Sequence, residues 1–435
     1  MSKDKAVILA GGVFSFKYPQ WISSLKKRGF KILSLDDDNQ NTTRLIDSYG
    51  GITNSFCADI SEFHAASPYD LPSILHIVQQ WNEKYTISAA ISMIEDFVTP
   101  IAYICERYSL PGSGIKAALI CRDKLLQRHF LPEVSPAFTS SSKPKLQNEV
   151  PVAYPFVIKP TGRSGSSGVH LIRSNDDLSA VLEQYQDDEC LLLESLIQGP
   201  EYSVESAIVD GKVIVTNITE KTTNCQNSDN FVEMSHTVPA LSLSEQMQVS
   251  LRETNQWIIE RLSFLSGITH AEFKIDQHNR IWLMEIAARG PGDMILYLFQ
   301  LATGASFEDM AVSISLNENF SSDITYQRYA RQVFISPEFG TLSDVKVENS
   351  EQQVLFLRDN QWRSVLSAPF FSSEKNTLVE VVIDKPRGME MTPEVSDSKS
   401  RLGYFITVSD DENDLDLFSN QVAESIKIIS TKAVV

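Results

Sequence analysis

Residues 5–35 constrain the fold more than any other stretch of the chain. Lys5–Ala10 is a short apolar run closed by Gly11 and Gly12, the profile of a buried parallel strand. A helical pattern follows over Pro19–Arg28 and stops at Gly29, and a second apolar run, Lys31–Leu35, ends in Asp36, Asp37 and Asp38. Strand, helix, strand is the opening of a parallel α/β sheet. Ala89–Ile94, ending at Glu95 and Asp96, reads as another buried strand, with helical pattern over Thr99–Tyr108 and Gly114–Phe130.

Beyond the polar run Thr139–Pro144 the texture changes. Strand-like runs fall at Tyr154–Lys159, Val169–Ile172, Leu191–Glu194, Tyr202–Val209, Lys212–Thr219, His270–Asp276 and Arg280–Ile286, with helical pattern at 176–185 and 244–265. The last hundred or so residues mix strands (Val354–Leu357, Thr377–Ile383, Arg401–Val408) with a final helix near Asp414–Ile428. The expected class is α/β at the front and α+β behind.

Length and charge bound what such a chain does. With 435 residues, two to four domains are expected. Thirty-eight basic against 56 acidic residues give a net charge of −18, so bulk nucleic-acid binding is disfavoured and a bound nucleotide needs a local basic pocket. The five cysteines (Cys57, Cys105, Cys121, Cys190, Cys225) form no C-x-x-C pair, which excludes a disulfide scaffold or zinc ribbon and fits a reducing cytosol. No signal peptide or membrane span is legible, so a soluble, cytoplasmic protein is expected.

Three features carry chemistry. The first is Thr161-Gly162-Arg163-Ser164-Gly165-Ser166-Ser167-Gly168, which follows a strand bearing Lys159 and leads into another strand. Its glycines let backbone N–H groups converge on a phosphate; the other reading is a plain hairpin loop. No Gly-Lys-Ser/Thr follows, as a Walker loop needs, and no helix follows, as a dinucleotide fingerprint needs. Lys159 supplies a fixed positive charge beside the loop. The second feature is Glu272 and Glu285. With a two-residue turn at His278-Asn279 they face each other across a hairpin, either as a solvated pair or as ligands of Mg²⁺, which would reverse their repulsion. The third is Arg289, four residues beyond Glu285 at the start of a Gly/Pro loop, able to hold a carboxylate or phosphate in two-pronged fashion or to sit on the surface.

Two further regions carry weaker signals. Lys221 and His236 lie in the polar stretch Glu220–Pro239, which reads as a functional loop; Cys225 in it has no activating neighbour and reads as inert. Gly11-Gly12 with Asp36–Asp38 mimics a dinucleotide site without its third glycine and reads as a substrate-binding sheet.

Taken in order, Lys124, Lys159–Gly168, Glu194–Glu205, Lys221–His236, Glu272, Glu285 and Arg289 resemble the ATP-grasp superfamily over nearly the whole chain. Within it the chain looks most like carboxylate–amine ligases of the L-amino-acid ligase (dipeptide synthetase) type, such as those that build bacilysin or the dapdiamides. The resemblance implies an N-terminal substrate-side domain (1–113), an ATP-grasp core (114–325) with a lid subdomain at about 132–193, and a C-terminal α+β subdomain (326–435).

It also implies ATP and Mg²⁺ as cofactors, small amino-acid-like substrates, no nucleic-acid or membrane partner, and a homodimer. The implied ATP-binding set is Lys124, Lys159, Gly162, Ser164, Gly165, Ser166, Gly168, the interdomain hinge residues Glu194, Ser195 and Leu196, and Glu201. The implied Mg²⁺ ligands are Glu272 and Glu285; where many relatives place an asparagine ligand, this chain has Ala287. Arg289, Lys159 and Lys221 are the implied catalytic cations, and Glu95, Glu205, His236, Arg289 and Gly292 the implied substrate contacts.

The function so implied is amide formation through an acyl phosphate, releasing ADP and phosphate. A carboxylase or purine-pathway ligase on the same scaffold is the first alternative, although no biotin-carrier lysine motif is present. A protein that holds ATP without turnover is the second. The paired glutamates and Arg289 speak against it.

Overall fold

The apolar runs that open the chain are buried because helices cover both faces of the sheet they form. In the computed structural model, which describes residues 3–39, 42–43, 46, 58–226, 230–359 and 374–431, they are β1 (Lys5–Ala10) and β2 (Lys31–Asp36). β3 (Glu62–Ala65) and β4 (Thr86–Ser92) join them in a parallel sheet of order β3-β2-β1-β4. Val7 and Leu9 pack with Trp21 and Leu25 on one face; Ala6, Ile8 and Ala10 pack with Val78, Trp81 and Ile104 on the other.

The acid that closes β2 serves its own loop. Asp36 is fully buried, accepting from Val13 N at 3.2 Å and Ser34 Oγ at 2.5 Å, so its carboxyl is taken up by the loop that follows β1 and by its own strand. Burial pushes its carboxyl up from 3.8 to about 6, against the hydrogen bond from Ser34. A raised acid stabilises the fold while protonated, fully below about pH 4, and that contribution is lost as pH rises through about 6. Asp36→Asn is therefore expected to gain up to about 3 kcal/mol at pH 8 and nothing at pH 4, read by denaturant unfolding at the two pH values. Equal effects at both would assign Asp36 a pH-independent role.

Next comes a four-stranded antiparallel sheet of β5 (Phe138–Ser141), β6 (Phe156–Pro160), β7 (His170–Ile172) and β8 (Leu191–Ser195), in the order β5-β8-β6-β7. Its own core holds Phe156, Ile158, Ile172, Leu178, Leu182 and Leu193.

The remaining strands are β9 (Glu201–Val209), β10 (Lys212–Thr223), β11 (Glu233–Val238), β12 (Gly267–Ile275), β13 (Ile281–Ala287), β14 (Tyr329–Ile335), β15 (Gly340–Val347), β16 (Val354–Phe356), β17 (Asn376–Ile383), β18 (Glu390–Met391), β19 (Gly403–Ser409) and β20 (Ile426–Thr431). Nine of them form one sheet, β13-β12-β9-β10-β11-β14-β19-β17-β16, and the other three a small sheet, β18-β15-β20. The large sheet runs without a break from strands before residue 325 to strands after it.

Two expectations change. The helical stretch 114–130 is two helices, Ile115–Arg122 and Lys124–Phe130, because Asp123 is extended and its side chain caps the second by accepting from Leu126 N at 3.0 Å. The polar stretch Glu220–Pro239 is not one long loop. Lys221 and His236 lie on β10 and β11 and pair directly across them. These strands read as loop because one of their faces borders a polar cleft instead of an apolar core. Cys57 lies outside the described residues, and burial pushes the Cys105 thiol up to about 12, so that cysteine is unreactive. Among the described residues no helix is long and apolar enough to cross a membrane.

Candidate active site

A cleft of about 370 Å³ is walled by the β6–β7 loop, the end of β8, the face of β10–β13 and the segment 398–401. The β12–β13 hairpin carries the paired glutamates. Its turn is not the expected two-residue loop. Asp276 N donates to Arg280 O, leaving Gln277-His278-Asn279 as a three-residue loop with Asn279 at φ 60°. That turn alone would put Glu272 out of register. A bulge between Glu272 and Phe273 shifts the pairing back, so Glu272 does face Glu285. The carbonyl of Met284, the residue skipped in the pairing, accepts from Arg128 Nη2 at 2.6 Å.

Each glutamate already faces a cation. Glu272 Oε1 lies 2.5 Å from Lys221 Nζ and 3.2 Å from His270 Nε2; Glu285 Oε1 lies 2.9 Å from Lys124 Nζ. Burial would raise the Glu272 carboxyl, but Lys221 and then His270 hold it well below the usual range. Behind it, His270 Nδ1 lies 2.8 Å from Glu205, whose other contacts are Ser203 Oγ, Asn217 Nδ2 and Thr219 Oγ1. Burial disfavours an imidazolium at His270, yet these carboxylates lift it to about 9. Glu205 is thus one layer behind the cleft wall and fully engaged, which corrects its reading as a substrate contact.

Lys221 sits among three acids, Glu272, Glu233 at 3.3 Å and Glu201 at 3.9 Å, whose carboxylate oxygens lie within 4.8 Å of one another. The three hold its ammonium charged against burial. Facing carboxylates on the cleft wall are the hard oxygen donors Mg²⁺ prefers, so Glu272 and Glu285 fit that ion.

At the other side of the cleft, Glu194 accepts from Arg128 and lies 2.6 Å from Lys159 Nζ. Burial raises its carboxyl, but Arg128 and Lys159 bring it down to about 2. Glu194 therefore anchors two cations while Ser195 and Leu196 continue the wall. Arg128 is fully buried and was not read from sequence; its signal is its spacing of four from Lys124, which puts both on one helix face.

The glycine loop is tethered from three sides. Gly162 O accepts from Arg122 Nη1 at 2.9 Å, Arg163 O from Lys124 Nζ at 2.7 Å, and Gly165 O from Ser398 N at 3.3 Å. Ser164, Gly165 and Ser166 face the cleft. Gly168 has φ 74°, and a Cβ there would come within 3.1 Å of Arg163 Nη1 and Tyr185 Cε1. Gly168→Ala is expected to cost roughly 1–2 kcal/mol locally and to weaken binding of an ATP analogue by about tenfold, read by calorimetry; unchanged affinity would separate this loop from nucleotide binding.

Arg289 and Glu95 come together, Nε to Oε2 at 2.6 Å, so the helical turn after β4 meets the loop after β13. Beside it Asp96 pairs with Arg122. Gly292 lies on the wall, its carbonyl taking the Tyr18 hydroxyl. His236 Nε2 lies 3.1 Å from Asp293 Oδ2, and Arg401 holds the same carboxylate through Nη1 at 3.3 Å and Nη2 at 3.1 Å. Asp293 and Arg401 carry no local sequence signal, because their partners are 57 and 108 residues away.

Residues 152–296 match the ATP-grasp domain family. The alanine–anticapsin ligase of Bacillus subtilis (strain 168) is 27% identical over 248 residues, 48% of this chain and 50% of that protein. The chain spans about half the length of the curated relatives it matches. The L-amino acid ligase from Bacillus licheniformis shares the fold at a TM-score of 0.76, with 17% identity over 99% of this chain and 100% of that one. The N5-carboxyaminoimidazole ribonucleotide synthetase from Thermotoga maritima does so at 0.64, with 18% identity over 98% and 100%.

Proposed function

The chain carries an ATP-grasp domain in an ATP-grasp fold, and on that premise we propose that it is an ADP-forming carboxylate–amine ligase. It joins the carboxylate of one amino-acid-like substrate to the amine of another through an acyl phosphate, in the making of a small peptide. The observation that carries this reading is the continuity of one cleft. Lys124, Lys159 and the Ser164–Ser166 loop stand at one part of it, and Arg289, Gly292, Asp293 and His236 at another, with Glu272 and Glu285 on the same wall.

The roles follow from charge. A carboxylate is a poor electrophile until its oxygen is phosphorylated. Lys159 and Lys124 offset the repulsion between the triphosphate and the incoming carboxylate. Mg²⁺, held by Glu272 and Glu285, would add further charge neutralisation on the phosphates. Arg289 steadies the acyl phosphate with a planar pair of donors, and Glu95 fixes that guanidinium. Lys221 holds Glu272 in place. The Gly162–Gly168 loop keeps water from the activated acyl group.

Phosphate release from ATP across pairs of amino acids tests the reading. Release that requires two amino acids supports it. Release with bicarbonate would favour the carboxylase reading, to which the fold shared with the carboxyaminoimidazole ribonucleotide synthetase gives weight. No release with any pair would leave ATP binding without turnover.

A further inference from the structure

The first half of the glycine loop is gripped from behind at a break between two helices. Because Asp123 is extended, Lys124 opens a helix of its own, and its N–H has no partner inside that helix. It donates instead to Thr161 O at 3.1 Å. Arg122 Nη1 donates to Gly162 O at 2.9 Å, and Lys124 Nζ to Arg163 O at 2.7 Å. Three consecutive carbonyls of the loop are thus tied to residues 122–124.

The N–H groups are left open. Among the described residues no acceptor takes the backbone N–H of Gly162, Arg163, Ser164, Gly165 or Ser166. A loop with its carbonyls tied back and its N–H groups free is a cradle for an anion.

The two residues that hold the carbonyls stand differently toward the cleft. Lys124 lines it and Arg122 does not, so Arg122 reaches a bound nucleotide only through the loop. The far side of its guanidinium is also fixed, since Nη2 donates to Asp96. Burial disfavours the charge on Arg122, but Asp96 and then Glu95 more than offset it. Asp96 follows Glu95 in the helical turn Glu95–Phe97, and Glu95 holds Arg289. Two adjacent acids of one turn therefore hold two arginines, one on the cleft wall and one behind the loop. An ion pair as open as Asp96, whose side chain is 43% exposed, adds little to stability. Its geometry is what it can contribute.

We propose that Arg122 is a positioning residue for nucleotide binding, fixed by Asp96, and that through this pair the turn after β4 keeps the N–H groups of the glycine loop directed at the phosphates. The inference rests on the ATP-binding part of the reading above. It gives the N-terminal sheet a share in nucleotide affinity without any contact to the nucleotide.

Arg122→Met nearly keeps the length of the side chain and removes its donors. Affinity for a non-hydrolysable ATP analogue, read by calorimetry, is expected to fall by roughly tenfold, the scale of one hydrogen bond from a charged donor. In turnover, KM for ATP should rise about as much while kcat stays within about threefold, because no contact to the reacting atoms is lost. Hydrogen exchange over 162–168 should quicken in the free variant, with exchange in the nine-stranded sheet unchanged. Arg122→Lys, which reaches one partner but not both, should fall between. Asp96→Ala should weaken binding by about threefold, and should add nothing to Arg122→Met in the double variant, since Asp96 acts only through the arginine. Analogue affinity in Arg122→Met within about twofold of wild type, or losses that add in the double variant, would overturn the proposal. Should Arg122→Met fail to fold, unchanged affinity in Asp96→Ala overturns it instead. A wild-type protein that binds no ATP analogue would overturn the ATP reading itself; wild-type binding with indifferent variants would overturn this inference alone.

Discussion

Glu285→Gln is expected to lower ATP-dependent turnover by about 10²-fold or more, the scale of losing one electrostatic stabiliser, while leaving the free protein within about 1 kcal/mol of wild type, as for a partly exposed pair. Glu285 keeps 27% of its side chain exposed and faces one lysine. Glu272→Gln should lose as much activity but also stability, by about 2 kcal/mol or more, because it strips the main counter-charge from buried Lys221 and the second of two carboxylates from His270. From sequence alone the two acids read as a repelling pair whose neutralisation costs the free protein nothing. Lys124, Lys221 and His270 correct that. Melts with ATP, with and without Mg²⁺, check both variants. A full wild-type Mg²⁺-dependent shift together with full activity in both would reduce the pair to a charged surface.

Arg289→Lys is expected to leave ATP affinity within about threefold and to cut amide formation by roughly 10²-fold. Lysine keeps the charge but cannot present two parallel donors, nor keep the 2.6 Å contact to Glu95 in the same geometry. Separate measurement of nucleotide binding and product formation checks it, and wild-type product formation would take Arg289 out of the mechanism.

What sequence gave away here was local. β1, β2 and the β12–β13 hairpin are dense apolar runs between glycines and turns, so their periodicity is legible. The glutamate pairing was anticipated through two errors that cancel, a turn one residue too short and an unseen bulge. Bulges leave no composition signal, because the extra residue is ordinary. β11 was missed for a different reason. A strand that turns polar side chains to a cleft looks like a loop when polarity is the guide. Glu205 was misplaced because alternation says which face a side chain is on but not what stands in front of it, here His270. Asp293 and Arg401 needed the tertiary fold to meet at all.

β11, the strand that carries His236, is paired on one side by β10 and on the other by β14, so this cleft residue is clamped by strands from both halves of the chain. A chain cut after residue 325 would bare the outer edge of β11 along Ser235–Val238. Unpaired edges recruit other strands. Such a truncation is expected to precipitate or associate, as light scattering would report, and not to yield a smaller working enzyme. Proteases that nick the chain near that point should leave two fragments that still sediment together, since the β11–β14 pairing over Ser235–Val238 joins the two parts of the sheet. The final hundred residues are in this sense the other half of a wall, inherited by the site as its fixed backing.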